Sequence, residues 1–163
     1  MKNMIKFAGL SVQEIVQTYS DTLIRIAVQQ TKNMAEAEDI VQEVYMTLMR
    51  QNKPFAHEAH LKAWLIKVTF NKCKDYFKSS RVKKTVPITE EMAFIAKEEQ
   101  MVLTEIFELP SEERVIVYLH YYEGYTTAEM ADLLEINVNT VGSKLRRARM
   151  KLKTILEEGG SKG

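Results

Sequence analysis

Apolar residues recur at alternating three- and four-residue steps along most of this chain, and strict two-residue alternation is rare, so the pattern predicts helices throughout. Residues 1–9 carry no clear period and read as an irregular start. A first helix is expected over 11–30, with Ile15, Val16, Tyr19, Leu23 and Ala27 on one face. A second is expected over 34–51, burying Ile40, Val41, Val44, Tyr45, Leu48 and Met49. Its opposite face carries Asp39, Gln42 and Glu43, which three- and four-residue spacing puts side by side. Residues 52–58 (NKPFAHE) form a loop with Pro54 as its breaker. A third helix follows over 60–80, with Leu61, Trp64, Leu65 and Val68 inward. On its wheel Lys67, Asn71, Lys74 and Lys78 share a polar stripe bordered by Phe70 and Phe77.

Two readings of that stripe stand. Cations, an amide and aromatic rings together suit single-stranded DNA, through its backbone, a base edge and base stacking. Equally, Phe70 and Phe77 are core residues and the lysines a solvated face. Periodicity then fails over 79–90 (SSRVKKTVPITE, with Pro87), which opens an interdomain linker running to about residue 99. Val102, Leu103, Ile106 and Phe107 restore it, and Leu109-Pro110-Ser111 ends that helix and caps the next. The next helix carries Glu112 and Glu113 in its first turn, buries Val115, Ile116, Leu119 and Tyr122, and stops at Gly124.

Residues 125–156 carry the most specific pattern. Thr126 and Glu129 have the spacing of a capping box, followed by Met130, Ala131, Leu133 and Leu134 on one short helix. Glu135-Ile136-Asn137 is a turn, and Asn137 can cap a second helix. There Val138, Val141, Leu145, Ala148, Leu152 and Ile155 form one narrow stripe, opposite Asn139, Ser143, Arg146 and Met150. Lys144, Arg147, Arg149, Lys151 and Lys153 flank the exposed side. A helical hairpin with a solvated basic face would share some of this. Capping box, turn length and opposed faces together favour a helix-turn-helix whose second helix enters the major groove.

Composition narrows the classes. The chain has 163 residues, enough for one domain or two small ones, and a single cysteine, Cys73, so no internal disulfide or thiolate metal cluster is expected. No apolar run is long enough to span a membrane and no signal peptide opens the sequence, which fits a reducing cytoplasm. Net charge is +1, but the charges are segregated. Residues 67–84 hold seven Lys or Arg against Asp75 alone, residues 144–153 hold six and no acid, and 36–43 and 90–113 are acidic. Two distant basic patches beside acidic surface suggest two DNA contacts and weak overall attraction. His57 and His60 lie three apart, yet no carboxylate or thiol motif completes a metal site and no Gly-rich phosphate loop occurs, so neither an enzyme nor a cofactor, metal or small-molecule substrate is expected.

AEDIVQEVYMTLMR with HLKAWLIKVTFNKCKDYFKSSRVKK resembles the second conserved region of bacterial sigma factors. LPSEERVIVYLHYYEGYTTAEMADLLEINVNTVGSKLRRARMKL resembles the fourth. Nothing between them resembles the third, and no long acidic leader precedes them, a plan similar to the extracytoplasmic-function group. The resemblance implies an all-α chain of two small helical domains, region 2 over 1–82 and region 4 over 100–163, joined by a flexible linker over 83–99.

It also implies a promoter-specificity subunit of RNA polymerase. Asp39, Gln42 and Glu43 would meet the clamp of the largest polymerase subunit, with region 4 near the flap of the second-largest. Lys67, Phe70, Asn71, Lys74 and Lys78, with the loop before their helix, would take the melted minus-10 strand. Asn139, Thr140, Ser143, Lys144, Arg146 and Arg147 would meet the minus-35 duplex. An anti-sigma factor, commonly membrane-anchored, is the expected regulator.

The sequence departs from the family pattern in four places. Phe70 stands where a basic residue is usual, Glu135 where the turn has Gly, Gly142 where Lys or Arg is common, and Lys144 where Arg is common. Gly142 also weakens its helix by about 1 kcal/mol. Two rivals share parts of the pattern: a helix-turn-helix regulator acting without polymerase, and a sigma-like accessory protein that binds polymerase without starting transcription. The first leaves the acidic Asp39 face and the aromatic-edged third helix without a task.

Overall fold

Ser11 does two jobs at the start of the chain. It closes a hairpin and it opens a helix. In the computed structural model, which describes residues 6–78 and 108–161, strands β1 (Lys6–Phe7) and β2 (Leu10–Ser11) pair antiparallel. Ala8 and Gly9 link them with positive φ values of 52° and 83°, the two-residue geometry whose twist matches a hairpin. Residues 6–11 are therefore ordered where the sequence pattern expects an irregular start. Strands of two residues are too short to show alternation. The ring of Phe7 is buried and meets Phe55 edge-on at 6.3 Å.

The Ser11 hydroxyl accepts the Glu14 N–H at 3.2 Å, and the Glu14 carboxylate accepts the Ser11 N–H at 2.9 Å. This capping box starts α1 (Val12–Thr31), and the same bonds hold the Glu14 carboxyl below its usual range. Lys32, with φ 54°, ends α1 by donating its N–H to the Val28 carbonyl at 2.7 Å. Asn33 then caps α2 (Met34–Arg50) through its side-chain oxygen. The loop after α2 leads to α3 (Glu58–Lys78). His57 precedes its first residue, and the His57 Nδ1 accepts the His60 N–H at 3.2 Å, as a capping side chain does. The His60 Nδ1 accepts the Ala56 N–H at 3.1 Å.

Helices α1, α2 and α3 pack on one another in the first of two compact units, Met1–Thr85. Ile15, Leu23, Ile26, Val44, Leu48, Leu61, Leu65, Ile66 and Phe70 fill the core. Burying each such side chain contributes roughly 1.5–3 kcal/mol. Cys73 is buried there too, and burial pushes its thiol up to about 12. The hydroxyl of buried Thr69 bonds back to the Leu65 carbonyl at 2.8 Å. Four expected core positions differ. Val16 and Met49 are exposed at the margins of their stripes, and Trp64 and Val68 are only half-buried, with Ile66 and Phe70 taking the centre.

The second unit is Val86–Gly163. The expected linker and the helix around Val102 to Phe107 lie outside the described residues. Helix α4 (Ser111–Tyr121) has Pro110, not Ser111, at its cap position, with no side-chain cap bond. Proline suits a helix start because the N–H it lacks has no partner there. Gly124, at φ 77°, turns the chain after α4. The Tyr125 N–H then reaches the Leu119 carbonyl at 3.0 Å, and its carbonyl meets the His120 Nδ1 at 2.8 Å. Helices α5 (Thr127–Leu134) and α6 (Val138–Ser161) follow, and all three helices touch.

Charge fixes α4 against α6. The Glu113 carboxylate is buried, with its side chain 4% exposed, and both its oxygens accept from the Lys151 ammonium at 3.0 and 3.3 Å. Arg147 Nε lies 3.7 Å away. Arg114, next in sequence, donates to the Leu109 carbonyl, and burial lowers its guanidinium to about 10, still cationic at neutral pH.

Two stability outcomes follow from this packing. Phe70→Ala should lower the stability of the first unit by about 3–5 kcal/mol, whereas Phe77→Ala, at an exposed ring, should change it by less than about 0.5 kcal/mol. Trp64 is the only tryptophan, so denaturant unfolding followed by its fluorescence reads this unit alone. Glu113→Ala should cost the second unit about 1–3 kcal/mol, the half-exposed Lys151 softening the loss of a buried pair. Thermal unfolding by circular dichroism checks it.

Candidate nucleic-acid interface

The helix-turn-helix is built by two caps and one left-handed residue. The Thr126 hydroxyl accepts the Glu129 N–H at 3.1 Å and Glu129 returns the bond to the Thr126 N–H at 2.9 Å, the capping box the spacing predicts. Glu135 ends α5 at φ 58° and ψ 45°, the left-handed conformation glycine adopts most cheaply. Its side chain is therefore held at a modest conformational cost, and the Ile136 N–H closes the turn on the Ala131 carbonyl at 3.0 Å. Asn137 starts α6: its side-chain oxygen accepts the Asn139 N–H at 2.8 Å and its carbonyl accepts the Val141 N–H at 3.0 Å.

Helix α6 then presents the faces its period demands. Val141, Leu145 and Ala148 are buried under α4 and α5, and Leu152 is half-buried. Val138 departs from the expected stripe. It is the first helical residue and stands exposed. On the opposite face Asn139, Arg146 and Met150 are exposed and Ser143 is half-buried. Met150, at 65% exposure, is an apolar side chain on an otherwise polar face. Gly142 sits inside the helix with open space where a Cβ would be, so nothing in the packing requires glycine there.

The flanking cations are not equivalent. The Lys144 ammonium pairs with the Glu112 carboxylate at 2.9 Å. Arg147 leans toward Glu113 while keeping half its surface in water. Arg149 donates its Nε–H to the Tyr121 hydroxyl, with its guanidinium 5.6 Å from the centre of that ring. Lys151 is committed to Glu113. Among the residues expected at the duplex, Asn139, Arg146 and Arg147 are exposed, Thr140 and Ser143 half-buried, and Lys144 half-buried within an ion pair. In the sequence Glu112 and Glu113 stand in the first turn of α4 and close the acidic stretch 90–113. That stretch and the excess of cations in 144–153 mark opposite charges, but no local spacing pairs particular residues.

The first unit carries two further faces. Asp39, Gln42 and Glu43 are exposed together on α2, and Met46 is exposed one turn beyond. On α3, Lys74 and Lys78 are exposed and Lys67 and Asn71 half-buried along one stripe. Phe70 does not belong to it. At 1% exposure the ring is a core residue, with the Lys74 ammonium 5.4 Å from its centre. Its position next to Asn71 in sequence turns it 100° away, into the bundle. A ring this buried offers no face on which a base could stack, which departs from the expectation for Phe70. Phe77 remains exposed beside Tyr76. Before α3, Phe55 packs edge-on against His60 at 5.1 Å and Trp64 at 5.6 Å.

Among the described residues no group of three or more His, Cys, Asp or Glu is placed to hold a metal, and no helix is long and apolar enough to cross a membrane. The nitrogens of His57 and His60 nearest the backbone are used in capping.

Comparison with known proteins agrees with this layout. The family model Sigma-70 region 2 matches residues 15–82, and the model Sigma-70, region 4, matches residues 99–152. The chain is 27% identical over 162 residues to the ECF RNA polymerase sigma factor SigM of Bacillus subtilis, covering 92% of this chain and 98% of that one. It is 27% identical over 157 residues to a Xanthomonas campestris protein named "Probable RNA polymerase sigma factor RfaY", but spans only 39% of that protein's length. Among solved structures, the sigma factor RpoE of Bartonella quintana, crystallised with the anti-sigma factor NepR, superposes with a TM-score of 0.66 at 19% identity, over 89% of this chain and 95% of that one. Two region models in their expected order, on a helical fold shared with a sigma factor, place the chain in the extracytoplasmic-function group of the sigma-70 family.

Proposed function

We propose that this sigma factor directs promoter-specific initiation by holding the promoter at two places, the minus-35 duplex on α6 and the melted minus-10 strand on α3. One observation carries the reading: one chain combines a capped helix-turn-helix exposing Asn139 and Arg146, with Ser143 half-buried between them, with a separate unit whose α3 shows a cationic, amide-bearing stripe. Neither face alone would need the other. The domain division that fits is region 2 over 1–82, a linker over 83–99 and region 4 over 100–163, close to the unit boundary at Thr85.

The steps follow from the side chains. Asp39, Gln42 and Glu43 form an acidic and amide face suited to a basic surface of the polymerase clamp. The flap of the second-largest subunit would hold region 4. Once polymerase fixes both units, the second DNA contact becomes nearly intramolecular and two weak grips act as one strong one. Lys67, Lys74 and Lys78 attract the displaced strand, and Asn71 bonds the edge of an unstacked base. Opening proceeds by capture of that base, at a cost of a few kcal/mol. Sigma factors as a group are not enzymes, and bond making belongs to the polymerase.

The sigma factor RpoE of Bartonella quintana was crystallised with the anti-sigma factor NepR, and we expect a partner of that class here. It would act by covering the α2 and DNA-facing surfaces. A cytoplasmic location, at the membrane when an anchored partner holds the protein, fits that control.

Run-off transcription with purified core polymerase tests the reading. Promoter-dependent transcripts are expected. Uptake by polymerase without promoter preference, or no uptake, would sink it. Asn71→Ala should reduce open-complex formation about tenfold, the loss of one buried hydrogen bond, while closed-complex binding holds. Equal losses in both remove Asn71 from strand capture. Arg146→Ala should cost about 1–3 kcal/mol at one minus-35 position and relax preference there, as read by selection of bound sequences with the reconstituted holoenzyme.

A further inference from the structure

The cations of α6 answer to two acids of α4, and the two acids differ in a way that matters for DNA. Glu113 is buried and held by Lys151 through both oxygens. Lys151 cannot leave it without stranding a charge inside the unit. Arg147 can leave, because Lys151 stays. Glu112 is different again. Its side chain is 43% exposed and pairs at 2.9 Å with Lys144, whose side chain is 23% exposed. Water can solvate Glu112 when Lys144 departs, so the pair is breakable at small cost.

We propose that Glu112 is an intramolecular stand-in for a DNA phosphate: it holds the Lys144 ammonium in the free protein and sets the affinity and salt dependence with which α6 takes duplex DNA. The inference rests on the reading of α6 as the duplex-binding helix. Lys144 is turned about 100° from Ser143 and about 200° from Arg146, so it lies not on their exposed face but on the flank beside it, turned toward α4. A duplex seated on that face brings a phosphate within reach of its long, flexible side chain. When Lys144 moves from carboxylate to phosphate, the DNA releases a counterion and the bared carboxylate of Glu112 gathers one. The two nearly cancel. Lys144 therefore adds almost nothing to the net ion release in the natural protein, although it contacts the backbone. The bared carboxylate also faces the DNA and repels it. A residue that never touches DNA thus keeps the affinity of region 4 low.

Removing that charge should raise affinity, an effect that damage to the fold does not produce. Glu112→Gln keeps the shape and the helix start. The full-length protein is titrated with a mixed-sequence 30-base-pair duplex, an order-of-one-footprint probe, at several concentrations of monovalent salt. Relative to the natural protein, Glu112→Gln should bind about threefold to tenfold more tightly, and the slope of log affinity against log salt should steepen by about 0.9, the value of one added phosphate contact. Adding Lys144→Ala to Glu112→Gln should abolish both gains. The proposal is overturned if Glu112→Gln leaves affinity and slope unchanged, or if its gains survive Lys144→Ala. Arg146→Ala separates the causes. If it weakens binding while Glu112→Gln is silent, only the role of Glu112 falls. If both are silent, the duplex-binding reading of α6 falls with it.

Discussion

A helix with six cations and no acid in the ten residues 144–153 cannot lie against its own domain without counter-charge, and the second unit is arranged around supplying it. Like charges at three- and four-residue spacing repel along a helix. Here the repulsion is relieved from outside the helix, by Glu113 beneath Lys151 and Arg147 and by Glu112 beside Lys144. The same contacts hold α6 in register on α4, so that Val141, Leu145 and Ala148 meet the core and Arg146 points away from it. The cation–π pair of Arg149 and Tyr121 lies on another flank of the helix.

The first unit meets the opposite constraint. Its α3 must be core on one side and cationic on the other, with few positions to separate them. Phe70 and Asn71 are neighbours in sequence yet fall on different sides of that boundary, one at 1% exposure and the other half-buried. A basic residue at 70 would have to bury its charge among Leu65, Ile66 and Cys73 or distort the helix to escape. In the proposed function strand contact is therefore assigned to the lysines and Asn71, with Phe77 the aromatic ring of α3 left at the surface.

Much of this was legible in the sequence, and what was not has identifiable causes. Repeats at three and four residues located α1, α2, α5 and α6 closely, because a long amphipathic stripe averages over many positions. The Thr126–Glu129 box, the Glu135 turn and the Asn137 cap were readable because each depends on residues within a few positions of one another. Margins of stripes were not. Val16, Met49 and Val138 carry apolar side chains where the neighbouring helix no longer covers them. The hairpin at Lys6–Ser11 was invisible because two-residue strands have no period. Pairs such as Lys151 with Glu113, 38 residues apart, obey no local rule. Only their shared excess of charge was written in the chain. At the candidate site, the wheel gave the exposed face of α6 but could not tell a cation awaiting phosphate from one already satisfied.

Under the proposed function, that last distinction bears on why such a protein would need a partner to find promoters. A net charge of +1 spreads little attraction over the whole surface, and the internal ion pairs remove part of what the basic helices would offer. Each DNA-facing element is left to recognise by shape and hydrogen bonding more than by charge, which favours discrimination over general adhesion. A chain built this way gains little from wandering along DNA alone. It gains much once a larger assembly holds both units over one promoter, because the weak contacts are then made together and a mismatch at either one is felt in full.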